Sequence, residues 1–297
     1  MTDSSLPDFS EAHLHDSALL AKYRLLLAFL KEFPQALIGF SGGVDSTLLA
    51  GVARHVLGKE RVIAYLAVGP SLAKQEHLDA RELAELMDIR LIEYSATEFA
   101  NPAYVANGPD RCFHCKNDLF LHLGRFAKEF PGAAILYGGN TDDTSDFRPG
   151  RRAATEHGAL APMAEAGLSK ADIRSLSRAF RLPTAEKAAQ PCLSSRIPYG
   201  HSVNVEKLAM VEAGEALLSR MGFREFRLRH FGTTARIEVP RDQFGLWDDS
   251  ERAENLFESL RDLGFLHTEI DPQGFRSGSL NEALSDQVKR ISIGLVN

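Results

Sequence analysis

Short apolar segments alternate with longer amphipathic ones up to about residue 180, and this alternation constrains the fold more than any other feature. Four apolar runs are predicted β-strands, at 36–40, 62–68, 90–94 and 134–137. The segments around them repeat apolar residues at helical spacing and are predicted helices, at 17–33, 46–57, 72–87, 113–130 and 169–180. The pattern predicts a parallel sheet covered by helices on both faces, a fold that binds ligands at the carboxyl ends of its strands.

The chain changes character after Leu182. Residues 183–200 carry three prolines and no periodicity, which is typical of a functional loop between domains. Beyond it, a smaller α+β module is predicted, with helices at 203–221 and 248–263 and strands at 225–231, 235–239 and 266–270. We therefore predict an α/β domain at 1–182 and a second domain, with its linker loop, at 183–297.

Composition and charge exclude several classes of protein. The hydrophobic and charged fractions, 44% and 25%, are those of an ordinary globular protein. No apolar run is long enough to span a bilayer, and residues 1–10 are polar and acidic, unlike a secretory signal. We expect a cytoplasmic protein without a membrane partner. The net charge of -6 gives no general attraction for nucleic acid, although a local basic pocket for a small anion is compatible with it.

A candidate phosphate loop lies directly after the first predicted strand and before the next helix. Its residues are Ser41, Gly42, Gly43, Val44, Asp45 and Ser46. The glycines let backbone N–H groups approach an anion, and the helix points its positive end at the same place. Asp45 would repel a phosphate unless it holds a metal ion, so we predict phosphate plus metal and a catalytic role for Asp45. The alternative is a glycine turn whose serine caps a helix.

A second loop, at 138–143, also follows a predicted strand and reads Gly-Gly-Asn-Thr-Asp-Asp. It could present Asn140 and Asp143 to the same ligand at the sheet edge. The alternative is a helix start that Thr141 caps and the acids stabilise through the helix dipole.

The loop at 41–46 resembles the signature of the ATP pyrophosphatases, which cleave ATP between its α- and β-phosphates. It lacks the Gly-Lys-Ser/Thr end of a Walker A loop. The resemblance implies an adenine nucleotide α-hydrolase-like fold. It also implies that the loop holds the leaving pyrophosphate while a substrate oxygen attacks the α-phosphate. At the strand end 68–71, where the superfamily contacts adenine, Ser71 is the predicted contact.

The chain as a whole resembles the LarE family, ATP-dependent sulfur transferases that build the nickel-pincer nucleotide cofactor. Six further segments carry the resemblance: RCFHCK (111–116), GGNTDD with DFRPG (138–150), APMAEAGLSKADIR (161–174), PCLSSRIPYG (191–200), GFREFRLRH (222–230) and ARIEV (235–239). The resemblance implies ATP, Mg²⁺ and a small nucleotide, pyridinium-3,5-biscarboxylic acid mononucleotide, whose carboxylates are adenylated and then take sulfur. We also expect a homo-oligomer and a downstream nickel-insertion protein. One departure is Ala188, where the family pattern has proline after lysine.

Three cysteines are candidates to supply or carry the sulfur that is transferred. Cys112 and Cys115 open a predicted helix, whose N-terminus favours thiolates, and Cys192 follows Pro191 in a loop. Some family members sacrifice a cysteine, which becomes dehydroalanine; others carry three cysteines thought to hold a [4Fe-4S] cluster with one open iron. We predict the cluster, with Cys192 catalytic in either case. Zinc with a fourth protein ligand, and unrelated buried thiols, are the alternatives.

Arginines provide the predicted substrate site. Arg227 and Arg229 alternate on a predicted strand and share a face, which suits a phosphate or carboxylate. The alternative is a solvated strand face with surface ion pairs. Arg196 beside the cysteine loop, and Arg148, complete the predicted site.

Three other functions are weighed against this one from the sequence. A tRNA thiolase of the same superfamily would need a basic surface, and the acidic net charge counts against it. An ammonia-using ligase would be expected to show a glutaminase nucleophile pattern, and none is evident. A non-catalytic ATP-binding module shares the fold but would release no pyrophosphate.

Overall fold

The computed structural model describes residues 6–144, 149–276 and 278–293. The chain forms two compact units, one of Met1–Thr97 with Cys112–Gln190 and one of Glu98–Arg111 with Pro191–Asn297. The second unit includes residues 98–111 as well as the chain from Pro191 onward, and the domain bounds 1–182 and 183–297 stay a prediction. Side chains of 98–111 hydrogen-bond to the loop at 191–203, and these long-range bonds explain why the two segments belong to one unit.

The first unit is built on a parallel four-stranded sheet in the order β3-β2-β1-β4. Its strands are β1 (Ala36–Gly39), β2 (Val62–Val68), β3 (Arg90–Ser95) and β4 (Ala134–Tyr137). The helices that lie wholly or largely within this unit are α1 (Ser17–Lys31), α2 (Val44–Leu57), α3 (Lys74–Leu86), α5 (Arg111–Ala127), α6 (Pro149–Glu156), α7 (Pro162–Glu165) and α8 (Lys170–Ala179); α4 (Pro102–Val105) lies in the second unit. The predicted α/β fold with a parallel sheet is confirmed.

Side chains along β1 alternate between the two faces of the sheet, and both faces are covered by helices. Leu37 and Ile38 are both fully buried, yet they belong to different apolar clusters. Ile38 packs with residues of α1, α2 and α8, such as Leu48, whereas Leu37 packs with Leu119 and Leu123 of α5. Successive side chains of a strand point to opposite faces, so an unbroken apolar strand needs helices on both sides.

The second unit has a three-stranded sheet in the order β5-β6-β7. Its strands are β5 (Arg227–Phe231), β6 (Thr234–Glu238) and β7 (His267–Ile270), the first pair antiparallel and the second parallel. Beyond Pro191, the α-helices among the described residues are α9 (Val205–Met221), α10 (Ser250–Asp262) and α11 (Asp286–Ser292). Gly214 allows α9 to approach the sheet, since a Cβ there would lie 2.5 Å from Leu228 Cδ1.

Within the described ranges, no helix is both long and apolar enough to cross a membrane.

Candidate functional site

The phosphate loop connects β1 to α2 and is closed by its own serines. Ser46 Oγ accepts a hydrogen bond from Ser41 N (3.2 Å) and lies 3.2 Å from Gly43 O and 3.1 Å from Ser41 Oγ. Gly42 has a φ of +68°, a conformation that favours glycine. The loop therefore turns directly into α2, whose first N–H groups have no acceptor within the helix and are available to an anion.

Two close approaches show why this region is rich in glycine. A Cβ on Gly42 would lie 3.1 Å from Cα and Cβ of Ala80 in α3. A Cβ on Gly138, just after β4, would lie 2.9 Å from Ser46 N and 3.1 Å from Asp45 Cβ. Helix α3 and the second loop thus pack directly against the phosphate loop, and a larger side chain at either glycine would push them apart.

Asp45 joins the two predicted nucleotide loops. Its Oδ1 accepts a hydrogen bond from Asn140 Nδ2 (3.3 Å). The Asn140 side-chain oxygen in turn accepts from Asp142 N (3.0 Å), and Asn140 N donates to Asp143 Oδ2 (3.1 Å). The structure therefore brings the Asn140 side chain to the phosphate loop, and Asp143 holds the backbone of Asn140. Ser71 is buried in the turn after β2, and its contact with adenine remains a prediction.

Lys170 belongs to this cluster, and the sequence analysis missed it. Its Nζ lies 2.5 Å from Asp45 Oδ2, and its backbone N donates to Asp142 Oδ2 (2.9 Å). It is the first residue of α8, which a reciprocal capping box between Ser169 and Asp172 fixes in place. The segment at 161–174 was recognised as part of the family resemblance, but a lysine in a first helical turn gives no local sign that its partner is 125 positions away.

A half-buried ion-pair group lies beside the phosphate loop. Lys187 Nζ is 2.9 Å from Glu76 and 2.8 Å from Asp79, both in α3, and Asp79 directly precedes Ala80. Burial lowers the pKa of Lys187, but its hydrogen bonds to Asp79 and Glu76 outweigh this and leave the pKa raised. Arg174 donates to the carbonyls of Ala185 (2.5 Å) and Lys187 (3.0 Å). These bonds attach the segment before Gln190 to the first unit.

In the second unit, Cys192 precedes a short 3-10 helix, Leu193–Arg196. Arg196 is 2% exposed and its guanidinium forms two bonds to Glu215 of α9, at 2.9 and 3.0 Å. It also donates to the carbonyls of Pro191 and Cys192, the latter at 3.2 Å. Arg196 therefore holds the backbone of the cysteine loop.

The predicted arginine pair is buried rather than solvated, so the interpretation of these residues as a solvated strand face is wrong. Arg229 makes two bonds to Glu238 (3.0 and 2.8 Å) and donates to Ser195 O (2.9 Å). Arg227 lies over the ring of Phe275, at 5.0 Å, and burial together with the charges of Arg196 and Arg229 lowers its pKa to about 10. An anion near Arg227 would relieve this crowding of positive charge. Arg148 lies outside the described residues.

The predicted cluster ligands divide between the units. Cys112 is exposed and Cys115 half-buried in α5, while Cys192 lies in the second unit and is half-buried. In the part of the chain that the structure describes, no group of three or more His, Cys, Asp or Glu side chains is arranged to hold a metal ion. The arrangement does not support the cluster, which remains a prediction.

Comparison with known proteins gives matches that extend over nearly the whole chain. The NAD synthase family model matches residues 29–107, which contain the phosphate loop. An uncharacterized protein of Synechocystis is 40% identical over 90% of this chain and 99% of its own length. The pyridinium-3,5-bisthiocarboxylic acid mononucleotide synthase of Lactiplantibacillus plantarum is 33% identical over 91% of this chain and 97% of its own length. This chain belongs to the LarE family.

Similarity to NAD synthetases is shorter. The NH(3)-dependent NAD(+) synthetase of Methanopyrus kandleri is 31% identical over only 36% of this LarE-family chain and 40% of its own length. Near full-length similarity to a LarE-type synthase, together with the match of residues 29–107 to the NAD synthase family model, supports an ATP-using enzyme. That the loop at 41–46 binds phosphate remains a prediction.

Proposed function

We propose that this LarE-family protein adenylates the carboxylates of pyridinium-3,5-biscarboxylic acid mononucleotide and converts them to thiocarboxylates. The observation that carries the proposal is similarity over 97% of the length of a synthase named for the bisthiocarboxylic acid product. Two local features support it: the network of Asp45, Asn140 and Lys170 at the phosphate loop, and the buried arginines beside the Cys192 loop.

In the first step, a carboxylate oxygen of the substrate attacks the α-phosphorus of ATP. The bond from that phosphorus to the bridging oxygen breaks, and pyrophosphate leaves. The N–H groups at the start of α2 would hold the departing pyrophosphate, where negative charge grows. Asp45 fits Mg²⁺, an ion that commonly takes one or two protein carboxylates with phosphate oxygens and neutralises phosphate charge. Lys170 would then turn from Asp45 to a phosphate oxygen.

In the second step, sulfur replaces AMP on the acyl carbon. The Cys192 thiolate attacks this carbon, and the carbon–oxygen bond to AMP breaks to give a thioester. Removal of the Cα proton of Cys192 and cleavage of its Cβ–S bond then release the thiocarboxylate and leave dehydroalanine. This sequence needs no oxidant or reductant. Each chain supplies one sulfur atom in this way, so the second carboxylate takes its sulfur from a second chain. A [4Fe-4S] cluster on Cys112, Cys115 and Cys192 is the other proposed source of sulfur, and we derive no step through it because the described residues do not support it.

The test is a reaction of the anaerobically purified protein with ATP, Mg²⁺ and the mononucleotide. We expect AMP, pyrophosphate and a product in which sulfur has replaced oxygen, all dependent on the mononucleotide. Iron, sulfide and zinc analysis of the same sample, and peptide mass spectrometry at Cys192, separate the two sulfur sources. Pyrophosphate release with tRNA but not with the mononucleotide would instead indicate a tRNA thiolase, and ATP binding without any pyrophosphate would indicate a binding module.

A further inference from the structure

The segment 98–111 separates from the phosphate-loop unit and folds into the unit that contains Cys192. Three of its polar side chains are almost completely buried there: Tyr104 (1% exposed), Asn107 (0%) and Arg111 (4%). Burying a polar side chain costs free energy unless it forms hydrogen bonds. The hydrogen-bond partners of these three side chains therefore show which part of the chain the segment holds in place.

Asn107 binds the backbone of the loop that follows Cys192. Its side-chain Nδ2 lies within hydrogen-bonding distance of three carbonyl oxygens, those of Ile197 (3.2 Å), Pro198 (2.8 Å) and His201 (2.9 Å). The residue has a φ of +57°, so its backbone is held in a conformation that few residue types adopt readily. The Asn107 amide group thus holds together the backbone of residues 197–201.

Arg111 and Tyr104 hold the loop closer to the cysteine. Arg111 Nη1 donates to Ser194 O (2.8 Å) and to Asn107 Oδ1 (2.6 Å). Tyr104 Oη lies 2.7 Å from Ser194 Oγ, and Ser194 is fully buried two residues after Cys192. Together with the bonds of Arg196 to the Cys192 carbonyl, these contacts fix the loop from both sides.

We propose that Tyr104, Asn107 and Arg111 are positioning residues for sulfur delivery by Cys192, an inference that rests on the proposed function. Adenylation uses the phosphate loop in the other unit, whereas sulfur delivery needs the Cys192 thiol at the acyl carbon. Misplacing a reacting group by about 1 Å can cost on the order of 100-fold in rate. Loosening this loop therefore slows the second step and spares the first.

The experiment compares single-turnover pyrophosphate release with thiocarboxylate formation in the full chain. Arg111→Met removes the guanidinium group with its bonds to Ser194 O and Asn107 Oδ1, and Arg111→Lys keeps a donor for the Ser194 carbonyl. Tyr104→Phe removes only a hydroxyl group. Ala253→Gly in α10 is the control, because it destabilises the same unit at a position outside both 98–111 and the Cys192 loop. In Arg111→Met, thiocarboxylate formed per pyrophosphate should fall about tenfold or more while pyrophosphate release stays near wild type. Tyr104→Phe should show a smaller loss, and Arg111→Lys should recover part of it.

A second readout does not need the substrate. Alkylation of the half-buried Cys192 by iodoacetamide, resolved by peptide mass spectrometry, should become severalfold faster in Arg111→Met than in wild type treated in parallel. The positioning role is refuted if folded variants keep the wild-type product ratio and alkylation rate, or if Ala253→Gly changes both equally. If the wild-type chain forms no thiocarboxylate, the proposed function fails and the alkylation measurement alone decides the role of the segment.

Discussion

Lys170→Met tests whether the cation beside the phosphate loop acts on ATP or only on the fold. The substitution removes the ammonium group that lies 2.5 Å from Asp45 Oδ2 and keeps an unbranched side chain of similar length. If Lys170 only balances the charge of Asp45, the loss should appear in stability. If it turns to the pyrophosphate, the loss should appear in the rate of adenylation.

The two outcomes differ in size. The side chains of Lys170 and Asp45 are 35% and 24% exposed, and pairs of this kind contribute about 0.2–1 kcal/mol to the free energy of unfolding. A hydrogen bond from the ammonium group to a charged phosphate oxygen is worth about 1.5–3 kcal/mol. Because each 1.36 kcal/mol is a factor of ten, kcat/KM for ATP should fall about 10- to 160-fold.

The assay is the initial rate of pyrophosphate release at varied ATP and saturating mononucleotide, with urea unfolding of the same sample. Lys22→Met is the matched control. Lys22 of α1 pairs at 2.7 Å with Asp172, which lies in the same helix as Lys170, and the Lys22 side chain has a similar exposure of 38%. We expect it to change stability alone. Wild-type kcat/KM in Lys170→Met, or an equal loss in Lys22→Met, would refute a direct role on ATP.

Four further predictions concern charged residues and the cysteines. Arg227→Ala should weaken mononucleotide binding by about 1.5–3 kcal/mol and leave ATP binding unchanged, as measured by calorimetry; an equal loss of ATP affinity would contradict this. Arg229→Ala should instead lower the free energy of unfolding in urea by about 3–5 kcal/mol, because a buried glutamate loses its partner; wild-type stability would show that the pair is not needed. Cys192→Ser should release pyrophosphate but form no thiocarboxylate. Cys112→Ser distinguishes the two sulfur sources: single-turnover activity with dehydroalanine at residue 192 indicates a sacrificial cysteine, whereas loss of iron together with activity indicates the cluster. The pKa of Lys187 is raised above its ordinary value of 10.5, so its charge stabilises the fold fully below that value and this contribution is lost as pH rises through the raised pKa. The stability difference between wild type and Lys187→Met in urea should therefore be large at neutral pH and shrink above about pH 10.5; a difference that persists undiminished would contradict the ion pairs.

Local patterns in the sequence determined the frame of the nucleotide site. The predicted strand 36–40 and helix 46–57 correspond to Ala36–Gly39 and Val44–Leu57 in the structure. Such elements can be predicted because periodicity, glycine and capping residues act within a few positions of each other. The same local reasoning missed the helix Pro149–Glu156, whose short pattern carries few apolar residues.

Only the tertiary structure decided which charged groups meet. Lys170 pairs with Asp45, and Arg229 is committed to Glu238. Asn107 holds a loop about 90 residues further along the chain. An ion or a hydrogen-bond donor carries no local mark of its distant partner, since the choice depends on which elements the fold brings together and on how far water is excluded there. The sequence by itself therefore determined the elements and the family of this protein, while the partners of its charged and buried polar groups were set by packing between segments remote in the chain.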